Sequence, residues 1–262
     1  MRVCALASGS SGNCFYVENE FNGNNQGILI DAGISCKRIE ERLGNINRSV
    51  ENVKAILVTH EHSDHIRGID VFVRKFNVPV FATKLTFDSR FITSKDELKN
   101  EIKNDEQFKI AGLKVNAFSK SHLCADPVSF SISDSKNKKT ITIATDVGVP
   151  CENIKDAVAD SDFICFESNY DEKMLDEGFY PWSTKKWIKS DGGHLSNTQS
   201  AACIIENAKK KMKHIMLSHI SQNNNTPELA MQTHEYFLKQ RIGFKPILSI
   251  SSRHEPTRLF KV

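Results

Sequence analysis

Apolar residues along this chain fall into short runs, separated by segments with a helical period. Residues 3–7, 14–17, 27–30, 53–58, 79–82, 113–118, 162–166 and 213–219 read as strands, and only Lys54 breaks the run at 53–58. Residues 127–133 and 140–145 alternate like an antiparallel pair joined by a polar turn at 134–139, and an Asn/Gly-rich turn at 22–26 joins two earlier strands. Apolar positions at helical spacing predict helices over 37–43, 69–76 and 198–210, with another after Pro227. The charged stretch 84–105 also reads as helical, with a solvated face. Periodicity alone therefore gives a mixed αβ chain.

With 262 residues and no Pro/Gly/Ser-rich linker, the chain is expected to form one domain over 1–262. No run of about 18 apolar residues suggests a membrane span, and residues 1–7 are too short an apolar stretch for a signal peptide. The seven cysteines are odd in number and hold no Cys-x-x-Cys pair, so reduced thiols and a cytoplasmic location are expected. A net charge of +3 permits a polyanionic substrate without requiring one.

The chemistry concentrates where the run 53–58 ends, at Thr59-His60-Glu61-His62-Ser63-Asp64-His65. Imidazole and carboxylate at this density suit Zn²⁺ and similar divalent ions. Two histidines at i, i+2 on a loop can hold one ion, and Asp64 with His65 can hold a second. Other polar residues close other strands. Asp31 follows 27–30, His122 follows 113–118, Asp146 follows 140–145, and His219 ends the run from 213. His214 lies at the opposite end of that last run and reads as structural. His234 reads as a surface residue, and His254 has no assignment.

His-x-His-x-Asp-His resembles the signature of the metallo-β-lactamase superfamily. The resemblance implies an αββα sandwich, two mixed sheets face to face with helices outside. It also implies two divalent cations (Zn, Mn or Fe), with His60, His62 and His122 on the first and Asp64, His65 and His219 on the second. Asp146 would bridge both, and Asp64 counts among the catalytic residues as well as the ligands. Asp31 would support the metal loop by hydrogen bonds.

Three further stretches narrow the resemblance to the YycJ/WalJ/VicX-type branch. They are residues 8–15, Gly193-His194-Leu195-Ser196-Asn197, and Leu217-Ser218-His219-Ile220-Ser221 followed by Asn223 and Asn224. That branch implies a bacterial cytoplasmic DNA exonuclease in which a metal-bridging hydroxide attacks phosphorus. His194 would protonate the leaving oxygen, a role suited to a group that titrates near neutrality. Ser10 or Asn169 would steady developing charge, and the loop 8–13, with Asn13, would support the site or turn its N–H groups to an anion. Lysines at 185, 186, 189, 209–211 and 213 could meet phosphates, while Trp182 and Trp187 fit core packing better than base stacking. The chain departs from the branch at Leu123, where Asp is usual, and at Tyr170, where His is common. A thioester or lactone hydrolase on the same metals, or a metal-binding regulator of cell-wall signalling, are the competing readings. Oligomeric state is not legible.

Overall fold

The structure is a computed structural model that describes residues 1–134 and 138–262. Most of the turn expected at 134–139 therefore lies outside the described residues.

In chain order, β1 (Arg2–Ala7), β2 (Cys14–Phe21) and β3 (Asn24–Ile30) are followed by α1 (Cys36–Asn45), β4 (Val53–Leu57), α2 (Ser63–Ile66) and α3 (Ile69–Phe76). Then come β5 (Val80–Thr83), α4 (Lys84–Ser89), β6 (Lys99–Ile102), β7 (Gln107–Ile110), β8 (Leu113–Ser119) and β9 (Val128–Asp134). The rest comprises β10 (Lys139–Ala144), α5 (Glu152–Asp160), β11 (Phe163–Glu167), α6 (Glu172–Glu177), α7 (Trp182–Ile188), α8 (Asn197–Asn207), β12 (His214–Ser218), α9 (Pro227–Gln240), β13 (Ile247–Ile250) and β14 (Phe260–Lys261).

The chain divides into two compact units. The first takes residues 1–119, 124–139 and 252–262, and the second 120–123 and 140–251. In the first, strands β14-β1-β2-β3-β4-β5-β6 form one sheet, antiparallel from β14 to β3 and parallel from β3 to β6. The β2–β3 hairpin turns on Asn22 and Gly23 with φ of 53° and 77°, the left-handed pair that a two-residue turn requires. Helices α1 and α3 bury Ile39, Leu43, Ile69 and Phe72 among Leu6, Leu29 and Ile56 of the sheet. Ser35 caps α1 by accepting the Arg38 N–H. Strands β7, β8 and β9 form an antiparallel meander.

The second unit is built on the parallel strands β10-β11-β12-β13. The central residues of β10, β11 and β12 are buried, as apolar runs in parallel strands require, while the edge strand β13 is partly exposed. Ser196 caps α8 with a reciprocal Gln199 bond, and Thr226 caps α9 ahead of Pro227.

The sequence reading of 84–105 as helix is corrected. Only Lys84–Ser89 is α-helical, and Lys99–Ile102 is a strand paired in parallel with β5. Its polar composition suits a sheet edge, and the pairing outweighs local propensity. Strand β7 is an addition that the sequence reading did not contain.

Candidate metal centre

The first unit presents the His60–His65 loop at the carboxyl ends of two neighbouring strands. Ile30 of β3 pairs with Leu57 of β4, so Asp31 and Thr59 leave the sheet side by side. Asp31 is fully buried with φ of 60°. Left-handed backbone is costly for a residue with a Cβ, and the surrounding bonds hold it there. Its carboxylate accepts the Thr59 N–H at 2.8 Å, the Thr59 hydroxyl at 2.8 Å and the His65 Nδ1–H at 2.7 Å. That last bond leaves the His65 lone pair on Nε2, 3.5 Å from Asp64 Oδ2.

The side-chain amide of Asn13 lies 3.0 Å from His65 Nε2 and 3.3 Å from Asp64 Oδ2. A buried N–H donor thus stands against the two atoms that would face a cation. Nearby, His60 Nε2 and His62 Nδ1 converge to 3.1 Å, and Thr59 Oγ1 lies 2.9 Å from His60 Nδ1. Backbone bonds fix the loop: Asn13 donates to Asp64 O, Ala32 to His65 O and Gly68 to Ala32 O. At Gly33 a Cβ would come within 1.6 Å of Asp64 O, so no side chain fits between the two turns.

The second unit presents its own cluster at the carboxyl ends of β10, β11 and β12. Ala144 pairs with Phe166, and Glu167 with Ser218. Asp146, Glu167 and His219 therefore arrive together, where parallel sheets keep their sites. Asp146 and His219 both have φ of 56°, strain of the kind stored at functional positions. One ligand atom from each of Asp146, Glu167, His194 and His219 lies within 4.8 Å of the others.

Glu167 is the centre of this cluster, and the sequence reading gave it no role. Its Oε1 accepts from Asp146 N at 3.2 Å and bonds to His194 Nδ1 at 2.9 Å, and His219 Nδ1 lies 3.2 Å from it. Its Oε2 accepts from Val147 N at 2.8 Å and Leu195 N at 3.1 Å. Burial opposes ionisation of Glu167, but His194 and His219 outweigh it and lower its pKa to about 2. Burial likewise opposes charge on His219, yet Asp146 and then Glu167 raise its pKa to about 10. The cluster attracts positive charge, the property a divalent cation requires of its donors. His122, whose Nδ1 lies 3.0 Å from Gly193 O, is driven by burial to a pKa of about 3. It is a neutral imidazole, the form that binds metal. Its Nε2 stands 3.9 Å from Asp146 Oδ1.

Both donor sets, nitrogen and carboxylate oxygen with carboxylate or carbonyl partners behind them, fit divalent transition metals. The family model described as "Beta-lactamase superfamily domain" matches residues 26–220. The chain belongs to this superfamily. It is 34% identical over 252 residues to "Exodeoxyribonuclease YycJ" of Bacillus anthracis, covering 93% of this chain and 91% of that one. It is 36% identical over 233 residues to "Exodeoxyribonuclease WalJ" of Streptococcus pneumoniae, covering 87% and 84%. The solved metallo-beta-lactamase fold protein YhfI of Bacillus subtilis superposes with a TM-score of 0.71 at 13% identity over 98% of each chain. The resemblance read from the sequence, and the metallo-β-lactamase fold it implied, are thereby borne out.

Several smaller expectations within this superfamily member change. Ser10 is exposed at the tip of its loop, while the loop's Gly9, Gly12 and Asn13 N–H groups bond to Asn13 Oδ1, Gly9 O and Asp64 O. Two of those donors close the loop itself, and the third holds the His60–His65 segment. Asn169 is buried, and its side-chain amide donates to His219 O at 2.9 Å, so it steadies the His219 backbone. His234 is buried, not on the surface. Its Nδ1 lies 2.9 Å from Ala230 O and its Nε2 3.1 Å from Ser200 Oγ, and burial lowers its pKa to about 4. His214 is structural, stacked on Phe163 and bonded to Ser249. Trp182 and Trp187 are exposed and not core residues. Lys209 and Lys211 pair with Asp160 and Asp162, which offsets much of that basic run. No helix among the described residues is long and apolar enough to cross a membrane.

Proposed function

We propose that this chain is a metal-dependent phosphodiesterase that degrades DNA from its ends. The observation that carries the reading is the 34% identity to an exodeoxyribonuclease across nearly the whole of both chains. Divalent cations, Zn, Mn or Fe and two per chain in this reading, would be held by His60, His62, Asp64 and His65 of the first unit and His122, Asp146 and His219 of the second. Bound there, such cations supply Lewis acidity and an activated water.

The chain's own residues do the rest. Asp31 and Asn13 fix His65 and Asp64 through the bonds described above. Glu167 fixes His194 through Nδ1, which turns Nε2 toward a departing oxygen. His194 protonates that oxygen, because an alkoxide leaves poorly without a proton. The odd number of scattered cysteines fits work in a reducing cytoplasm.

The test is to strip the protein with chelator, reload it with Mn²⁺ or Zn²⁺, count ions per chain, and offer labelled linear DNA, circular DNA, RNA and a thioester. Two ions per chain and loss of nucleotides from linear DNA alone are expected. Cleavage of the circle would make it an endonuclease, and turnover of the thioester alone would overturn the reading.

A further inference from the structure

In the second unit, α9, the turn after it and β13 line a groove of about 610 Å³, a size that holds an organic ligand. Its apolar lining comes from both elements. Met231 and Leu238 stand two helical turns apart on one face of α9, and Pro246 and Leu248 join them. All four are half-buried, and Phe244, also in the lining, is buried. Ile242, in the turn, is 98% exposed. Arg241 fixes that turn: it donates to Ile205 O at 2.8 Å and lies 4.5 Å over the Phe244 ring.

Strand β13 ends its sheet. On its inner side, Ile247 N–H donates to Lys213 O at 2.8 Å and Ser251 N–H to Leu217 O at 2.9 Å. Successive residues of a strand turn their N–H and C=O to opposite edges, so Leu248 and Ile250 direct theirs outward. Among the described residues, no backbone group outside the sheet bonds to either of them. The strand reads Ile-Leu-Ser-Ile. It lacks the internal lysine or proline that ordinarily blunts an exposed edge.

Charge selects the occupant. Lys239, Arg241 and Lys245 line the groove against a single acid, Glu235. A second copy of this chain, adding its own β13, would bring two basic rims together. An acidic segment is attracted instead. We infer that the groove binds an extended acidic peptide of a partner protein, which adds a strand along β13 and sets alternate apolar side chains against Met231, Leu238 and Leu248. Main-chain bonds to the edge supply affinity in such additions, and the pocket supplies specificity. The inference is independent of the hydrolase reading.

The test pans a random-peptide phage library against metal-loaded wild-type protein and, in parallel, against Lys239→Glu/Lys245→Glu. Both lysines are exposed, so the variant should keep its fold, metal content and hydrolysis. Enrichment on wild type of peptides that alternate apolar residues with Asp or Glu is expected. The most enriched peptide, synthesised with a fluorophore, should bind the variant roughly 5- to 50-fold more weakly. Amide hydrogen exchange locates it: the Leu248 and Ile250 N–H groups should gain protection, while Ile247 and Ser251, already bonded to β12, should change little. Enriched peptides without acids, equal enrichment on the variant, or binding that leaves Leu248 and Ile250 unprotected would each overturn the inference. So would concentration-dependent protection of those amides without peptide, which would give the edge to a second copy, or loss of DNA binding by the variant with no peptide enriched, which would give the lysines to nucleic acid. Wild-type protein that selects acidic peptides but degrades no DNA would overturn the hydrolase reading alone.

Discussion

His194 Nδ1 lies 2.9 Å from Glu167 Oε1, and the same oxygen lies 3.2 Å from His219 Nδ1. One buried carboxylate thus orients two imidazoles that belong to different parts of the proposed chemistry, a proton donor and a metal ligand. Asp146 N and His194 Nδ1 bond to Oε1, and Val147 N and Leu195 N to Oε2, so most of its lone-pair capacity is taken up within the protein. Glu167 is a positioning residue.

Glu167→Gln tests this. The amide replaces an acceptor with an N–H group that faces existing donors, so both imidazoles lose their anchor. Metal affinity and DNA hydrolysis should each fall about 10–100-fold, read by competition with a chromogenic chelator and by nucleotide release. A purely structural role would lower the melting temperature of the metal-free protein while leaving the affinity of the remaining folded fraction unchanged.

Asp146→Ala should reduce metal content at both positions, because it removes the anionic ligand that the two ions are proposed to share. His122→Ala should lower content chiefly at one. Elemental analysis after loading with excess metal and desalting distinguishes them. Full occupancy in Asp146→Ala would remove Asp146 from the centre.

The metal loop was legible because its donors fall within six residues and directly follow an apolar run. Asp31, Asp146 and His219 were legible as polar residues ending such runs. Glu167 also ends one, but a lone acid after a strand has no motif around it, and its partners lie 20 to 52 residues away. The same limit hid β6, whose sequence Lys-Asn-Glu-Ile becomes a strand only by pairing with β5. For the tryptophans the error ran the other way: hydrophobicity argued for burial, and the two rings stand in solvent.

His234 offers a pH-dependent measurement away from the proposed ligands. Its pKa falls from 6.5 to about 4 on folding because burial disfavours the charged ring. The unfolded chain therefore binds a proton between those values that the folded chain does not. The stabilisation is complete above pH 6.5 and is lost as pH falls toward 4, by on the order of 3 kcal/mol in the limit. Urea melts at pH 7.5 and pH 5 should show wild type losing about 2 kcal/mol more than His234→Gln across that interval. An equal loss in both proteins would remove His234 as the source.

His194→Ala should separate binding from chemistry. His194 is not among the seven proposed ligands, so two ions per chain should remain after loading. Hydrolysis of an ordinary phosphodiester should fall by roughly 10²–10⁴, the usual contribution of a positioned general acid. A bis-nitrophenyl phosphodiester should be far less affected, since nitrophenolate departs without a proton. The ratio of the two losses is the informative quantity, because misfolding or misplacement would slow both substrates alike. The variant should also keep its affinity for phosphorothioate-linked DNA within a few-fold. Loss of one ion would place His194 among the ligands, beside Asp146 and His219 with which it clusters. Equal losses on both substrates would reduce it to positioning, and unchanged rates would leave it as an ordinary helix-start histidine held by Glu167.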